Sequence, residues 1–246
     1  MRVPAAGLRA GRMTLPREAA QYVARVLRRG EGDLLTLFDG SLGIEAGARI
    51  VSVGEAGVVV EVGPPGAAQI PGGREITLVQ ALGKGDKMDA IVRDATELGA
   101  TRIVPVETRR AVARAGGRGE AKVARWRAIA IEAARQSGRG DTPEVTAIGS
   151  LESAGREVLA GARLVLVPAA VEPAGARLQA ALREGLSIAI VVGPEGGLDE
   201  AEILSLAEAG WSPVSLGPRV LRTETVAAAV LGALLVLGVA WGEGSS

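Results

Sequence analysis

Ile188-Ala189-Ile190-Val191-Val192 runs into Gly193-Pro194-Glu195-Gly196-Gly197-Leu198, and Asp199 follows with Glu202 three residues on. Read in order, these are an unbroken apolar strand, a glycine loop and a helix start. A strand without polar alternation is buried on both faces, as in parallel sheets covered by helices. Asp199 and Glu202 have the spacing of a capping box, in which each side chain accepts from the other's backbone amide. Outward from this unit, apolar runs at 76–82, 103–106, 164–167 and 214–216 alternate with helical segments. That alternation predicts an α/β domain with a largely parallel sheet. The helix after the first run shows one apolar face of Met88, Ile91, Val92, Ala95 and Leu98, and Gly99 ends it.

The chain in front of this domain reads differently. Short β-type runs at 34–38, 44–53 and 57–62 are punctuated by Asp39-Gly40 and Glu55-Ala56-Gly57, a spacing that suggests a small β-barrel. Residues 18–28 place Tyr22, Val23, Val26 and Leu27 on a helical stripe, leaving Arg25, Arg28 and Arg29 near the surface. Gly63-Pro64-Pro65-Gly66 through Pro71-Gly72-Gly73 then breaks all periodicity. The boundary is placed there, giving domains 1–72 and 73–246.

Two loops carry the candidate chemistry. A buried parallel strand ending in glycines exposes backbone amides at the carboxyl end of the sheet, where ligands bind in open α/β folds. Taken alone, the loop from Gly193 is equally a simple strand-to-helix turn. It lacks a Walker lysine and the spacing of the dinucleotide fingerprint, so triphosphates and dinucleotides are poorly supported. The second loop, Leu216-Gly217-Pro218-Arg219-Val220-Leu221-Arg222-Thr223-Glu224-Thr225, also follows a short strand, and it precedes an uncharged apolar run at 226–241. Two arginines, a carboxylate and two hydroxyls between buried elements are costly unless they pair with each other or with a ligand. The structural alternative has Thr225 capping the helix and Arg222 pairing with Glu224.

Composition narrows the chemistry. The 246 residues contain no His, Cys or Asn, which removes imidazole bases, thiolate nucleophiles and the usual zinc ligands. No metal site is expected. One Phe, one Tyr and three Trp argue against recognition dominated by aromatic stacking. The start at Met1-Arg2-Val3-Pro4 lacks the apolar stretch of a secretory signal, and the sixteen-residue run at 226–241 is short of the roughly 20 residues that span a bilayer. A cytoplasmic location is the expectation. Net charge is zero, yet residues 1–142 hold 22 Lys and Arg against 16 Asp and Glu, leaving 6 against 12 for the rest. Most of the basic excess falls on Lys84, Lys87, Arg109, Arg110, Arg114, Arg118, Arg125, Arg127, Arg135 and Arg139. These fit a polyanion partner or, equally, a solvated helix face.

The two loops together, each after a strand, resemble those of the SPOUT class of methyltransferases. Their wording resembles the RsmE family, which methylates N3 of a uridine in small-subunit (16S) ribosomal RNA. The likeness extends to Arg25-Val26-Leu27-Arg28, Phe38-Asp39-Gly40, Lys84-Gly85-Asp86-Lys87-Met88, Glu97-Leu98-Gly99 and Arg135-Gln136-Ser137-Gly138-Arg139. It implies a PUA-like β-barrel joined to a trefoil-knotted SPOUT domain, a homodimer packed across the knot, and S-adenosylmethionine as cofactor. Cofactor contacts are then expected from Val167, Pro168, Gly193, Glu195, Gly196, Leu198, Leu216, Gly217, Leu221 and Thr223. Arg25, Arg28, Lys84, Lys87, Arg135 and Arg139 are expected on RNA phosphates. Methylation at N3 requires loss of the imide proton. Without histidine the acceptor is Glu224, Glu195, a water or bulk solvent, and Arg222 is placed to stabilise the uracil anion. Arg222 and Glu224 are therefore the candidate catalytic pair. Two alternatives stay open: a SPOUT enzyme acting on another nucleotide, and a non-catalytic RNA-binding protein with the same fold.

Overall fold

The computed structural model describes residues 2–40, 42–54, 57–68, 74–111 and 116–242, with the side chains of 239–242 outside the description. The expected boundary at 72/73 and Arg114 lie outside the described residues. The chain forms two compact units, Met1–Pro71 with Ile131–Thr142, and Gly72–Ala130 with Pro143–Ser246. One cut near residue 72 therefore does not separate them, because residues 131–142 group with the front unit.

The front unit contains β1 (Arg2–Pro4), β2 (Gly11–Thr14), α1 (Arg17–Gln21), β3 (Leu34–Asp39), β4 (Ile44–Gly54), β5 (Gly57–Val62) and β6 (Gly66–Ala67). The strands pair in the order β1-β3-β4-β5-β2, with β6 added to β4, and all pairs are antiparallel except β1 with β3. Alternate residues such as Leu35 and Leu37, Ala46, Ala48 and Ile50, and Val58, Val60 and Val62 point into one core, which Ala19, Ala20 and Val23 close. This is the period-two pattern of a sheet with one buried face.

The helix expected over 18–28 differs. After Gln21 the backbone widens into a π turn at Tyr22–Val26, where Leu27 N donates to Tyr22 O at 3.0 Å. The extra residue per turn moves Val26 off the apolar stripe and leaves it 66% exposed.

The rear unit contains β7 (Ile76–Ala81), α2 (Lys87–Glu97), β8 (Arg102–Glu107), α3 (Gly119–Ser137), β9 (Glu144–Val145), β10 (Gly149–Ser150), α4 (Leu151–Glu157), β11 (Ala162–Leu166), α5 (Ala174–Arg183), β12 (Ile188–Val192), α6 (Glu200–Glu208), β13 (Ser212–Val214) and α7 (Thr223–Gly242). The end of α3 belongs to the front unit. The strand order is β10-β8-β7-β12-β11-β13 with β9 on β8, and every pair is parallel. Every residue of β7 and β12 is buried. One face packs against a core that includes Met88, Ile91, Leu178, Val230 and Leu231 of the helices α2, α5 and α7. The other packs with Leu151, Ala154 and Leu206 of α4 and α6 and with Trp211.

Helix starts follow local chemistry. Asp199 and Glu202 form the full capping box at α6, with Asp199 N donating to Glu202 Oε2 and Glu202 N to Asp199 Oδ1, both at 2.9 Å. The Glu202 amide, aided by Arg109, holds the Asp199 carboxyl below its usual value. The last strand ends two residues earlier than its apolar run, at Val214. Helix α7 starts at Thr223, so Thr225 lies inside the helix and is not its cap. No helix of the described residues is long and apolar enough to cross a membrane.

Candidate active site

Brought together at the carboxyl ends of the rear strands are the loops after β7, β8, β11, β12 and β13. The strand order reverses direction between β7 and β12, the place where open α/β sheets form clefts. A cavity of about 580 Å³, within the range of small-molecule sites, opens among the loops after β11, β12 and β13, with Arg110 from the loop after β8. All ten residues expected to contact a cofactor line it: Val167, Pro168, Gly193, Glu195, Gly196, Leu198, Leu216, Gly217, Leu221 and Thr223. Arg222 lines it as well.

The glycines are needed for space and for backbone shape. A Cβ on Gly193 would come within 3.1 Å of Leu198 Cγ, and one on Gly196 within 3.3 Å of Arg110 O. Gly217 sits at φ +109°, a conformation that side chains resist.

A buried pin joins the loops. Thr223 Oγ1 donates to Gly193 O at 2.8 Å and accepts from Gln80 Nε2 at 3.0 Å, while Gln80 Nε2 also donates to Ala81 O at 3.0 Å. Gln80 is fully buried, and its Oε1 has no hydrogen-bond partner. The Gly193 carbonyl is thus engaged by Thr223. On the far side of the cavity, Ser215 Oγ lies 3.3 Å from Pro168 O and accepts from Gly217 N at 3.1 Å, tying the loops after β11 and β13.

Charged groups form a second cluster. Lys87 Nζ lies 2.9 Å from Glu195 Oε1 and 3.4 Å from Glu224 Oε2, and Lys84 N donates to Glu195 Oε1 at 3.2 Å. Glu224 therefore pairs with Lys87, and the expected Arg222–Glu224 pair does not form. Arg219 and Arg222 are exposed rather than crowded between buried elements, and neither guanidinium has a partner among the described residues.

The RNA methyltransferase domain family matches residues 71–235. Over 240 residues the chain is 36% identical to the ribosomal RNA small subunit methyltransferase E of Mycobacterium bovis, covering 92% of this chain and 86% of that protein. This chain belongs to the RsmE family. The crystal structure of a ribosomal RNA small subunit methyltransferase E from Neisseria gonorrhoeae bound to S-adenosyl methionine shares 30% identity at a TM-score of 0.82, over 99% of both chains. A Legionella pneumophila methyltransferase in complex with the bound cofactor SAM shares 32% identity at 0.79, over 96% of this chain and 97% of that one.

In this RsmE-family chain the six cations expected on RNA have separate fates. Arg25, Arg28 and Lys84 are exposed, and their side chains have no partner among the described residues. Lys87 is held by two carboxylates. Arg135 and Arg139 do not share one solvated helix face, because Gly138 at φ +76° ends α3 before Arg139. Arg139 is 2% exposed and clamps Asp141 at 2.9 and 2.5 Å, an arrangement that leaves its fork occupied. Arg135 pairs with Glu132 and stacks 3.8 Å over the Tyr22 ring.

Sequence reasoning missed Gln80 and Arg110 as parts of the RsmE site. Arg110 lines the cavity and donates from Nη1 to Leu198 O at 3.3 Å. Its place just after β8 at the carboxyl edge was the available signal. Gln80 was hidden because a lone glutamine inside an apolar strand reads as part of the core.

The carboxylate cluster sets a pH window. Burial pushes the Glu195 carboxyl up, but the Lys87 ammonium and the amides of Glu195 and Lys84 outweigh it, and the net direction is down. Hydrogen bonding to Glu195, opposed by desolvation and helped by Glu224, raises Lys87. A depressed carboxyl stabilises the fold above its unfolded value of about 4.3 and loses that contribution as pH falls through its lower folded value. A raised ammonium contributes below about 10.4 and loses its contribution as pH rises past its higher folded value. The tie is expected to hold between about pH 5 and pH 10. Hydrogen-exchange protection of the Lys84 amide, corrected for intrinsic rate, should then hold as pH is lowered to the unfolded carboxyl value of about 4.3 and be lost only below it. Protection lost while the pH is still above about 4.3 would contradict this.

Proposed function

We propose that this chain transfers a methyl group from S-adenosylmethionine to N3 of a uridine in small-subunit ribosomal RNA. The observation that carries the reading is the cavity itself. The loops after β11, β12 and β13 wrap about 580 Å³ with backbone groups and apolar strand ends, and the guanidiniums of Arg219 and Arg222, without a partner among the described residues, line it. The relatives named for this reaction class, and the solved neighbours with the cofactor bound, support it.

The residues present fit that cofactor. A Cβ at Gly193 or Gly196 would crowd Leu198 or Arg110, Leu216 and Leu221 offer backbone groups, and Val167, Pro168 and Leu198 give apolar walls. When bound, S-adenosylmethionine supplies an electrophilic methyl group. This chain's own task is to orient the uracil and handle its N3 proton. Arg222 offsets the negative charge that develops on the ring as the proton leaves. Glu224, next to the cavity-lining Thr223, is assigned as the carboxylate that accepts that proton, with the cavity-lining Glu195 as the other candidate.

The same reading assigns the front unit as a PUA-like RNA-binding barrel, with Arg25 and Arg28 meeting phosphates and Lys84 doing so from the rear unit. It also assigns a trefoil knot. Its support is that strand β12 lies between β7 and β11 and that Thr223, at the start of α7, returns to bond Gly193. The outward face of α7 carries Ala229, Ala233 and the 72% exposed Val236, an apolar surface suited to a second copy of this chain. A cytoplasmic location accompanies a ribosomal substrate.

The test combines two measurements. Calorimetry should detect one S-adenosylmethionine per chain. Incubation with small subunits lacking the modification should then yield one labelled nucleotide, which mass spectrometry identifies as 3-methyluridine. Cofactor binding with a different methylated nucleotide would replace the N3 assignment, and RNA binding without any transfer would make the chain a binder.

A further inference from the structure

We infer that Lys87 is a positioning residue for the transfer step, fixing Glu224 and Glu195 beside the cavity, and is not one of the cations that grip RNA. The inference rests on methyl transfer to RNA being this chain's reaction.

Three backbone segments meet at one ammonium. Lys87 is the first residue of α2, anchored by the adjoining Met88, Ile91 and Val92, which are at most 2% exposed. Glu195 belongs to the glycine loop, and Glu224 to the first turn of α7. The ammonium has three protons, and the two carboxylates at 2.9 and 3.4 Å occupy two of its directions. A phosphate approaching the remaining direction would meet two carboxylates that already offset the ammonium's charge. Exposed Lys84, Arg219 and Arg222 carry no such competition among the described residues.

Glu224 depends on this contact. Its Oε2 is buried and has no hydrogen-bond partner, so the Lys87 ammonium at 3.4 Å is the cation that compensates its charge. Remove the ammonium and a buried carboxylate oxygen is left without a compensating cation, on a side chain that is only partly buried and free to turn toward solvent. Held in place, it serves a balanced step. The N3–H bond breaks with its proton passing to the Glu224 carboxylate. The electron pair left on N3 forms the new bond to the methyl carbon, and the pair of the broken carbon–sulfur bond returns to sulfur. Glu195, fixed by the same ammonium and by Lys84 N, keeps the glycine loop in register with this carboxylate.

Lys87→Met and Lys87→Arg in the full chain test the idea. Three quantities are measured: S-adenosylmethionine affinity by calorimetry, the salt slope of RNA binding, and single-turnover methylation at saturating RNA. Lys87→Met is expected to slow transfer by about 10- to 100-fold, as a misplaced reacting group does. The salt slope should stay unchanged, whereas losing a phosphate contact lowers it by about 1. Lys87→Arg should recover most of the rate, since it restores a cation between the two carboxylates. In a Glu224→Gln background, Lys87→Met should cost little further rate, because the two act as one unit.

A reduced salt slope with the rate intact would return Lys87 to the phosphate contacts. Full additivity with Glu224→Gln, or equal losses in the Met and Arg variants, would also overturn the inference. If Lys87→Met does not fold, Lys87→Gln takes its place in the same three measurements and in the cycle with Glu224→Gln, since it also removes the charge. Absence of methyl transfer by the unaltered protein would instead remove the reaction itself, with the salt slope still reporting whether Lys87 touches RNA.

Discussion

Arg222→Ala is expected to lower single-turnover methylation by about 10²- to 10³-fold, the size of effect seen when one charge-stabilising donor is removed from a reacting centre. Affinity for S-adenosylmethionine should change by less than about twofold, because Arg222 lies at the rim of the cavity and the pin that shapes it is made by Thr223. The reasoning is electrostatic. Arg222 is exposed and its guanidinium has no partner among the described residues, so substrate charge is the counterpart available to it. Arg222→Lys should recover only part of the rate, since a compact, strongly hydrated ammonium lacks the delocalised planar fork of a guanidinium. A rate unchanged by Arg222→Ala, with cofactor affinity intact, would remove Arg222 from the mechanism.

The second large effect is expected from Thr223→Val. The side chains are of similar size, so packing is nearly kept, but the hydroxyl that bridges Gly193 O and Gln80 Nε2 is lost. Gln80 is fully buried, and an unsatisfied buried polar group costs about 1–3 kcal/mol. A loss of about 2 kcal/mol corresponds to a fall of roughly 4–8 °C in Tm for a chain of this size. Cofactor affinity should weaken about tenfold, because the same hydroxyl fixes the glycine loop against the start of α7. Thr223→Ser, which retains the bridge, should stay close to the unaltered protein in both readouts. Equal melting and affinity for the Val and Ser variants would show that the bridge is unimportant.

These two residues illustrate what could be read from the sequence. Apolar runs located the rear strands, since parallel strands buried on both faces leave no polar residues to blur the signal. Ile188–Val192 is found with the expected bounds, and the Asp199–Glu202 box forms as its spacing predicts. The loop after β12 was legible because it directly follows such a strand, and the loop after β13 because charged and hydroxyl side chains interrupt two apolar runs. What stayed hidden depends on contacts between distant residues. Gln80 and Thr223 are 143 positions apart, and nothing local announces their pairing. Arg139 looked like a surface cation because its partner, Asp141, binds it only once Gly138 has turned the chain out of the helix. The π turn after Gln21 was likewise invisible, as a helical stripe gives no sign of one added residue.

The grouping of residues 131–142 with the front unit has a consequence for biosynthesis. The chain passes between the two units three times, near residues 71, 130 and 142. An emerging chain that has just released residue 71 has made the front sheet but not the segment that supplies Arg135 beneath Tyr22. About 70 further residues must be translated first, which at bacterial elongation speeds of up to about 20 residues per second takes several seconds. During that interval the front sheet waits with one flank uncovered, while the early strands of the rear unit are already leaving the tunnel. Maturation is therefore interleaved and not sequential, and a gene fragment cut at residue 72 encodes a front unit that lacks part of its own interior.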